Sequence, residues 1–368
     1  MLRLVLTFLL LGSTLHSQTA GVRPEIISPQ VKTSLEKALS WLIQQQKPSG
    51  YFNDEKTDSK PRRGDLPSHS AAMTALALMG MASVGHLPGD PTPEGEAAAR
   101  ALKFMVDNIE PDEHGYLGRS DRSRMYGHGI ITLMLTEMIG MAQDEETDKK
   151  IHSMITGGVK LILRAQQVGK NEANRGGWRY EPSSSDSDIS VSVWQVMSLR
   201  AAKNAGFDVP KEAIDNAIAY IKRSYKGTRD KSGNLSSNEG PFSYEPYGGR
   251  QTFSTTAAGL LSLQVCGEYE APEVIGSSNW LLRNPPELTE PWFYYGNYYY
   301  AQGMYQRGGE HAATARQRTE QILIQAQDAS GAWHPRNGNE KSAGSVYATS
   351  LALLSLSVYH HFLPIYQK

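Results

Sequence analysis

The feature that most constrains this 368-residue chain is a unit that recurs along it: an amphipathic helix, a glycine and aromatic turn, a polar loop, then a more apolar helix. Gly50, Gly115, Gly177 and Gly240 mark successive copies and lie 65, 62 and 63 residues apart. Such a period belongs to stacked helix pairs, none of which can bury its apolar face alone. In the first copy Leu35, Ala38, Leu39, Leu42 and Ile43 make a one-sided helical stripe, Gly50, Tyr51 and Phe52 break it, and His69 to Met81 is apolar nearly all round. The second runs from Ala98, Leu102, Met105 and Val106 through Gly115 and Tyr116 to Ile130–Met141. The third places Ile151, Ile155, Ile162 and Leu163 before Gly177 and Trp178, then Ile189–Ala202; the fourth leads from Ile214, Ile218 and Ile221 to Phe253–Val265. A shorter fifth copy spans Val274–Leu282, Trp292 and Tyr298–Tyr305, and the sixth Thr319–Ala326, Trp333 and Ser345–Tyr359.

Helices with a single apolar stripe suit an outer layer, whereas helices apolar all round need cover on every side. Both demands are met by an all-α, closed (α/α)6 toroid of six helix-pair repeats, expected over residues 33–360 after a lead-in at 21–32 and before a tail at 361–368. An open solenoid would expose the apolar flanks of its end repeats, yet the helices around Leu39 and Leu353 are no more polar than the rest. With the second helices inside, their N-terminal ends and the polar loops converge on one mouth, where a ligand site is expected.

The start, Met1-Leu2-Arg3 followed by an apolar run to Leu11 and small or polar residues to Ala20, reads as a signal peptide over residues 1–20, so a secreted or periplasmic location is expected. That run is far short of the roughly 20 residues a membrane span needs, so no transmembrane anchor is expected. Thirty-seven basic against 38 acidic residues build no basic footprint for nucleic acid. Cys266, the single cysteine, rules out an intramolecular disulfide.

Gln327, Gly331 and Trp333 form Gln-x-x-x-Gly-x-Trp, and Gln46, Gly50 and Phe52 repeat it with another aromatic, while Gln167 is separated from Gly177 and Trp178 by a polar insertion. The pattern resembles the Gln-Trp repeat of the alpha/alpha-toroid superfamily of squalene and terpene cyclases and protein prenyltransferase beta subunits. Most of the chain, from about Leu35 to Tyr359, takes part in it. The resemblance implies structural roles for these residues: a glutamine tying the end of an outer helix and a ring plugging the seam.

Asp186, Ser187, Asp188 and Ile189 open an inner helix and are similar to the Asp-x-Asp-Asp acid motif of squalene-hopene cyclases, with Ile189 in place of the last aspartate. By that resemblance Asp188 is the acid and Asp186 its partner. Their plainer role is capping, with Asp186 or Ser185 as the cap and Asp188 in the first turn. Trp178, Tyr180, Tyr126, His128, Arg250, Gln251, Tyr298 and Tyr299 are expected to face the same mouth and bind a ligand, flat rings and arginines suiting sugars, peptides or amphipathic molecules. A prenyltransferase zinc set is not matched, since Cys266 lies at the wrong end of its helix, and Tyr269 cannot serve as the glutamine of a thioester. No metal or cofactor is therefore expected. A glycosidase would need two facing carboxylates, for which Glu245 or Glu290 could complete Asp186 and Asp188. Phosphate-loop, His-Glu-x-x-His and Gly-x-Ser-x-Gly signatures are missing. The sequence thus points to an exported ring that binds a polypeptide, glycan or amphipathic ligand, with a cyclase-like or prenyltransferase-like enzyme using Asp188 as general acid as the alternative.

Overall fold

A computed structural model describes residues 27–54, 66–235, 238–360 and 363–364. The expected leader, the first part of the lead-in and most of the tail lie outside the described residues. Twelve α-helices are present among them: α1 Pro29–Gln44, α2 Ser70–Ala82, α3 Pro93–Asn108, α4 Arg124–Glu137, α5 Glu145–Gln166, α6 Ile189–Asn204, α7 Lys211–Arg223, α8 Phe253–Val265, α9 Pro272–Arg283, α10 Phe293–Arg307, α11 Gly309–Ala326 and α12 Gly344–Leu356. None is long and apolar enough to cross a membrane.

The even-numbered helices touch in turn, α2 to α4 and onward to α12, and α12 touches α2. That closes an inner barrel of parallel helices inside an antiparallel outer layer, the all-helical toroid the repeat demands. Patterning assigns the layers: α8 buries every residue but Ser254, whereas α7 buries only Ala213, Ala217, Tyr220 and Ile221. α8 spans the expected residues, but α4 begins at Arg124 and α10 at Phe293, several residues before the stretches read as helical.

The packing pairs are offset by half a unit from the sequence repeat. Inner helices pack on the outer helix that follows them (α2 on α3, α4 on α5, α8 on α9, α10 on α11), and α12 finds its partner in α1 at the other end of the chain. The aromatic loops are therefore the long outer-to-inner crossings. Among the described residues only the fourth carries strands, the hairpin of β1 (Ser243–Glu245) and β2 (Gly248–Gln251), which no sequence pattern announced.

The first, third and sixth crossings are tied to the ring by the same device. The amides of Gln46, Gln166 and Gln327 donate to the carbonyls of Gly50, Gly176 and Gly331 and to Ala97, Ala213 and Ser34 on the neighbouring outer helix, at 2.8–3.0 Å. In the third copy these roles fall to Gln166 and Gly176, not to Gln167 and Gly177. Gln166 is buried and Gln167 exposed, so the outward turn at the helix end selects between them. Gly176 and Gly331 have φ of +91° and +99°, and a Cβ there would stand 2.1 and 2.4 Å from the carbonyls of Asn216 and Lys37. Only glycine meets both conditions. The amides of Phe52, Trp178, Phe242 and Trp333 then donate to hydroxyls of Thr74, Ser192, Thr256 and Thr349 on the inner helices.

Candidate functional site

Parallel inner helices bring their N-termini to one mouth, where unsatisfied N–H groups and the positive dipole ends call for acceptors. Carboxylates supply them, Asp121 and Glu340 buried and Asp54 half-buried. Asp121 accepts from Ala72 N–H of α2 at 3.0 Å, Asp54 from Val346 N–H of α12 at 3.1 Å, and Glu340 from Tyr294 and Tyr295 N–H of α10 at 3.3 and 3.0 Å. In each case the acid comes from the loop entering the next inner helix. α6 differs in being capped from within: Asp188, rather than Asp186 or Ser185, is its N-cap, with Oδ1 accepting from Val191 N–H at 2.8 Å and from the Ser190 hydroxyl at 2.6 Å.

The second oxygen of Asp188 is buried, accepts no aligned hydrogen bond, and faces Arg179 Nε at 3.3 Å. Arg179 also reaches Asp186 at 3.5 Å and Glu245 at 2.7 Å, and its guanidinium stacks on Tyr180 and Tyr244 at 5.0 and 5.5 Å. The two tyrosine hydroxyls bond each other at 2.6 Å. Tyr126 bonds the Ser190 hydroxyl, and the Tyr295 hydroxyl donates to the Ser190 carbonyl. Burial pushes the Asp188 carboxyl above the ordinary range, outweighing the hydrogen bonds from Ser190 and Val191 and the Arg179 charge. Burial likewise raises the Tyr126 and Tyr295 phenols.

Asp186, Asp188, Tyr126 and Tyr180 therefore meet in one cluster. Arg179, Ser190, Tyr244 and Tyr295 join it without having been singled out together. A signal existed: Tyr126 and Ser190, like Tyr180 and Tyr244, are 64 residues apart, one repeat, so equivalent positions of neighbouring copies touch at the mouth.

The other expected ligand residues lie elsewhere. Trp178 is a buried seam plug whose indole N–H donates to the Ile162 carbonyl at 2.8 Å. His128 is buried with both nitrogens engaged, Nδ1 accepting from Leu117 N–H at 3.2 Å and Nε2 facing the Gly158 carbonyl at 3.0 Å; burial holds its pKa down to about 4. Tyr298 and Tyr299 fill the lumen against Trp194, one stacked at 5.7 Å and the other edge-on at 5.8 Å. Arg250 and Gln251 are exposed on β2. Burial pushes the Cys266 thiol up to about 12, leaving it a poor nucleophile.

No protein-family model and no curated protein matches the chain. Solved structures share its fold. An α-1,6-mannanase of Salegentibacter sp. superposes with a TM-score of 0.56 at 9% identity, covering 90% of this chain and 99% of the mannanase. The type II terpene cyclase MstE of Scytonema, bound to geranylgeranyl dihydroxybenzoate, gives 0.54 at 14% identity over 91% and 98%. An unsaturated glucuronyl hydrolase specific for heparin gives 0.57 at 14% over 89% and 96%. The likeness is to the toroid class that holds both terpene cyclases and glycosidases, and it does not single out the cyclase and prenyltransferase branch.

Proposed function

We propose that this chain is an enzyme acting at the toroid mouth on a glycan, with Asp188 as proton donor to the glycosidic oxygen and Glu245 as the facing carboxylate that directs water. The observation that carries this reading is the state of the Asp188 carboxyl. Asp121 and Glu340, the comparably buried acids of the mouth, have hydrogen-bond donors on both oxygens. Asp188 uses one oxygen for the helix and keeps the other toward Arg179. Burial raises the hold of this carboxyl on its proton above that of an ordinary aspartate, the direction a general acid requires.

Arg179 covers that oxygen, and its stronger link to Glu245 gives it a place to go when substrate enters. Tyr180, Tyr244 and the exposed Tyr247 and Arg250 offer flat and charged contacts at the rim, the composition that suits sugar rings. The mannanase and the glucuronyl hydrolase lend the glycan reading support by their own activities. An isoprenoid cyclase would need a deep apolar chamber to shelter its cations, and Trp194, Tyr298 and Tyr299 occupy that space here. A polymer substrate outside the cytoplasm would also agree with the leader expected at residues 1–20.

The test is reducing-end release from a panel of polysaccharides by the parent and by Asp188→Asn, which keeps the capping oxygen. Loss of about 100-fold or more, with the helical signal unchanged, is expected when a general acid is removed. Full turnover by the asparagine variant would overturn the assignment, and tight binding without turnover by the parent would reduce the mouth to a glycan-recognition surface.

A further inference from the structure

One chemical constellation stands apart from the Arg179 cluster. At the sixth crossing, His334 follows the seam-plugging Trp333 and turns back over the start of α12. Its Nδ1 lies 2.6 Å from the hydroxyl of Ser345, and its Nε2 lies 2.6 Å from Oδ2 of Asp328. Asp328 is itself fixed: its other oxygen accepts from Ser330 N–H at 2.8 Å, the Ser330 hydroxyl at 2.6 Å and Ala332 N–H at 3.1 Å. With Nε2–H donated to the carboxylate, the Nδ1 lone pair points at the serine hydroxyl. We infer that Asp328, His334 and Ser345 form a hydrolytic triad for short-chain acyl esters, a second activity of this chain that is independent of the Asp188 reading.

The roles follow from the geometry. An aspartate that orients and charges an imidazole, and an imidazole that takes a serine proton, are the working parts of nucleophilic acyl transfer wherever they occur. Here the imidazole is turned over relative to the familiar serine proteases, Nδ1 facing the serine, which leaves the proton path intact. Burial would raise the Asp328 carboxyl, but the bonds from Ser330, His334 and Ala332 prevail and hold its pKa down to about 2, so it is anionic at any working pH. Ser345 lies in the first turn of α12, just after Gly344 with its φ of +87°.

The reaction balances without further reagents. The Ser345 oxygen adds to the ester carbonyl carbon while its proton passes to His334 Nδ1. The tetrahedral intermediate then expels the alcohol, which takes that proton as the C–O bond breaks. Water, deprotonated by the same nitrogen, cleaves the acyl-serine to the acid and restores the hydroxyl. His334 also lines a crevice of about 20 Å³ with Leu288, Phe293 and Tyr294 on its apolar side and Arg336 and Asn337 on its polar side. So narrow a crevice has no room for a long acyl chain, which favours short-chain esters.

The experiment treats the full chain with a fluorophosphonate probe, maps the modified residue by mass spectrometry, and follows hydrolysis of p-nitrophenyl acetate, butyrate and octanoate. Phosphonylation of Ser345 and preference for acetate are expected. Ser345→Ala should lose the label. His334→Gln and Asp328→Asn, which keep hydrogen-bonding atoms, should slow labelling by about 100-fold or more, the usual worth of a general base. An unlabelled Ser345 in the folded parent, or labelling at the parent rate in His334→Gln, would show a structural hydrogen-bond chain and overturn the inference. Octanoate preference would overturn the assignment of the crevice as the acyl site. If His334→Gln does not fold, the mapped site and the acyl-chain preference of the parent still decide.

Discussion

Ser34 and Gln327 stand 293 residues apart and exchange two hydrogen bonds, the serine hydroxyl donating to the glutamine carbonyl oxygen at 2.8 Å and the amide returning a bond to the Ser34 carbonyl at 2.9 Å. The same amide holds the Gly331 carbonyl at 2.9 Å. Around this junction Asp54 caps α12 and the Ser357 hydroxyl meets Ser83 at 2.7 Å. The first and last helices are thus joined as any other neighbouring pair is, with no covalent help.

Removing that clasp tests closure directly. Gln327→Ala removes the acceptor of the buried Ser34 hydroxyl and a donor to the Ser34 and Gly331 carbonyls, and losing these partly buried bonds should lower stability by about 1 to 3 kcal/mol. Urea unfolding at one temperature measures it. No change in midpoint would mean that packing alone closes the ring.

Trp333 adds the apolar half of the junction. Its ring is fully buried and its indole N–H donates to the Leu323 carbonyl at 2.8 Å. Trp333→Ala should cost about 3 to 5 kcal/mol by the cavity it leaves. Because Trp333 precedes His334, the same variant is expected to loosen the Ser345 contact. A shift below about 1 kcal/mol would contradict the seam role.

Two buried groups give the stability curve opposite slopes. Glu340 is raised to about 7, by burial first, despite the N–H groups of Tyr295 and Tyr294. Its folded state holds the proton more tightly than the unfolded chain, so its contribution falls as pH rises from about 4.5 to about 7. His128, lowered to about 4, does the reverse: the unfolded chain binds the extra proton, so stability rises between about 4 and about 6.5. Each shift is worth roughly 3 kcal/mol, and over the shared window the two cancel. Glu340→Gln should unmask the histidine and make stability climb through that window relative to the parent. Urea midpoints for both proteins at several pH values check it, and parallel curves would refute the assignment.

Much of this architecture is written in the sequence because layer identity depends on patterning alone. Stripes such as Leu35-Leu42 and the all-round apolar α8 leave little choice about which helix faces water. What was not legible has a physical cause in each case. Gln166 and Gln167 are adjacent, and only the turn of the chain at the end of α5 decides which amide faces inward. Phe293 to Asn297 belong to α10 because Glu340 caps that helix from a later loop, a donor–acceptor match made in space rather than along the chain. The Arg179 cluster is formed by residues one repeat apart. Asp328, His334 and Ser345 come together because the Trp333 turn folds His334 back toward both, and no local motif encodes that meeting.

The glycines offer the sharpest separation of backbone conformation from packing. Gly308 and Gly331 both have positive φ, at +79° and +99°, so alanine is strained at either position. They differ in their surroundings: a Cβ on Gly308 meets nothing within 4 Å, whereas one on Gly331 would stand 2.4 Å from the Lys37 carbonyl on α1. Gly308→Ala should therefore show the conformational penalty alone, about 1 to 3 kcal/mol. Gly331→Ala must add the displacement of α1 from the crossing, which also pulls the Ser34 carbonyl away from Gln327. Its loss should exceed that of Gly308→Ala by about 1 kcal/mol or more, the range found for overpacking. The pair is measured by denaturant unfolding, with α1 tracked by amide exchange at Ser34 and Lys37. Equal losses in the two variants, with α1 protected equally, would mean that the first helix does not bear on the last crossing, and the ring would then be closed by its inner helices alone.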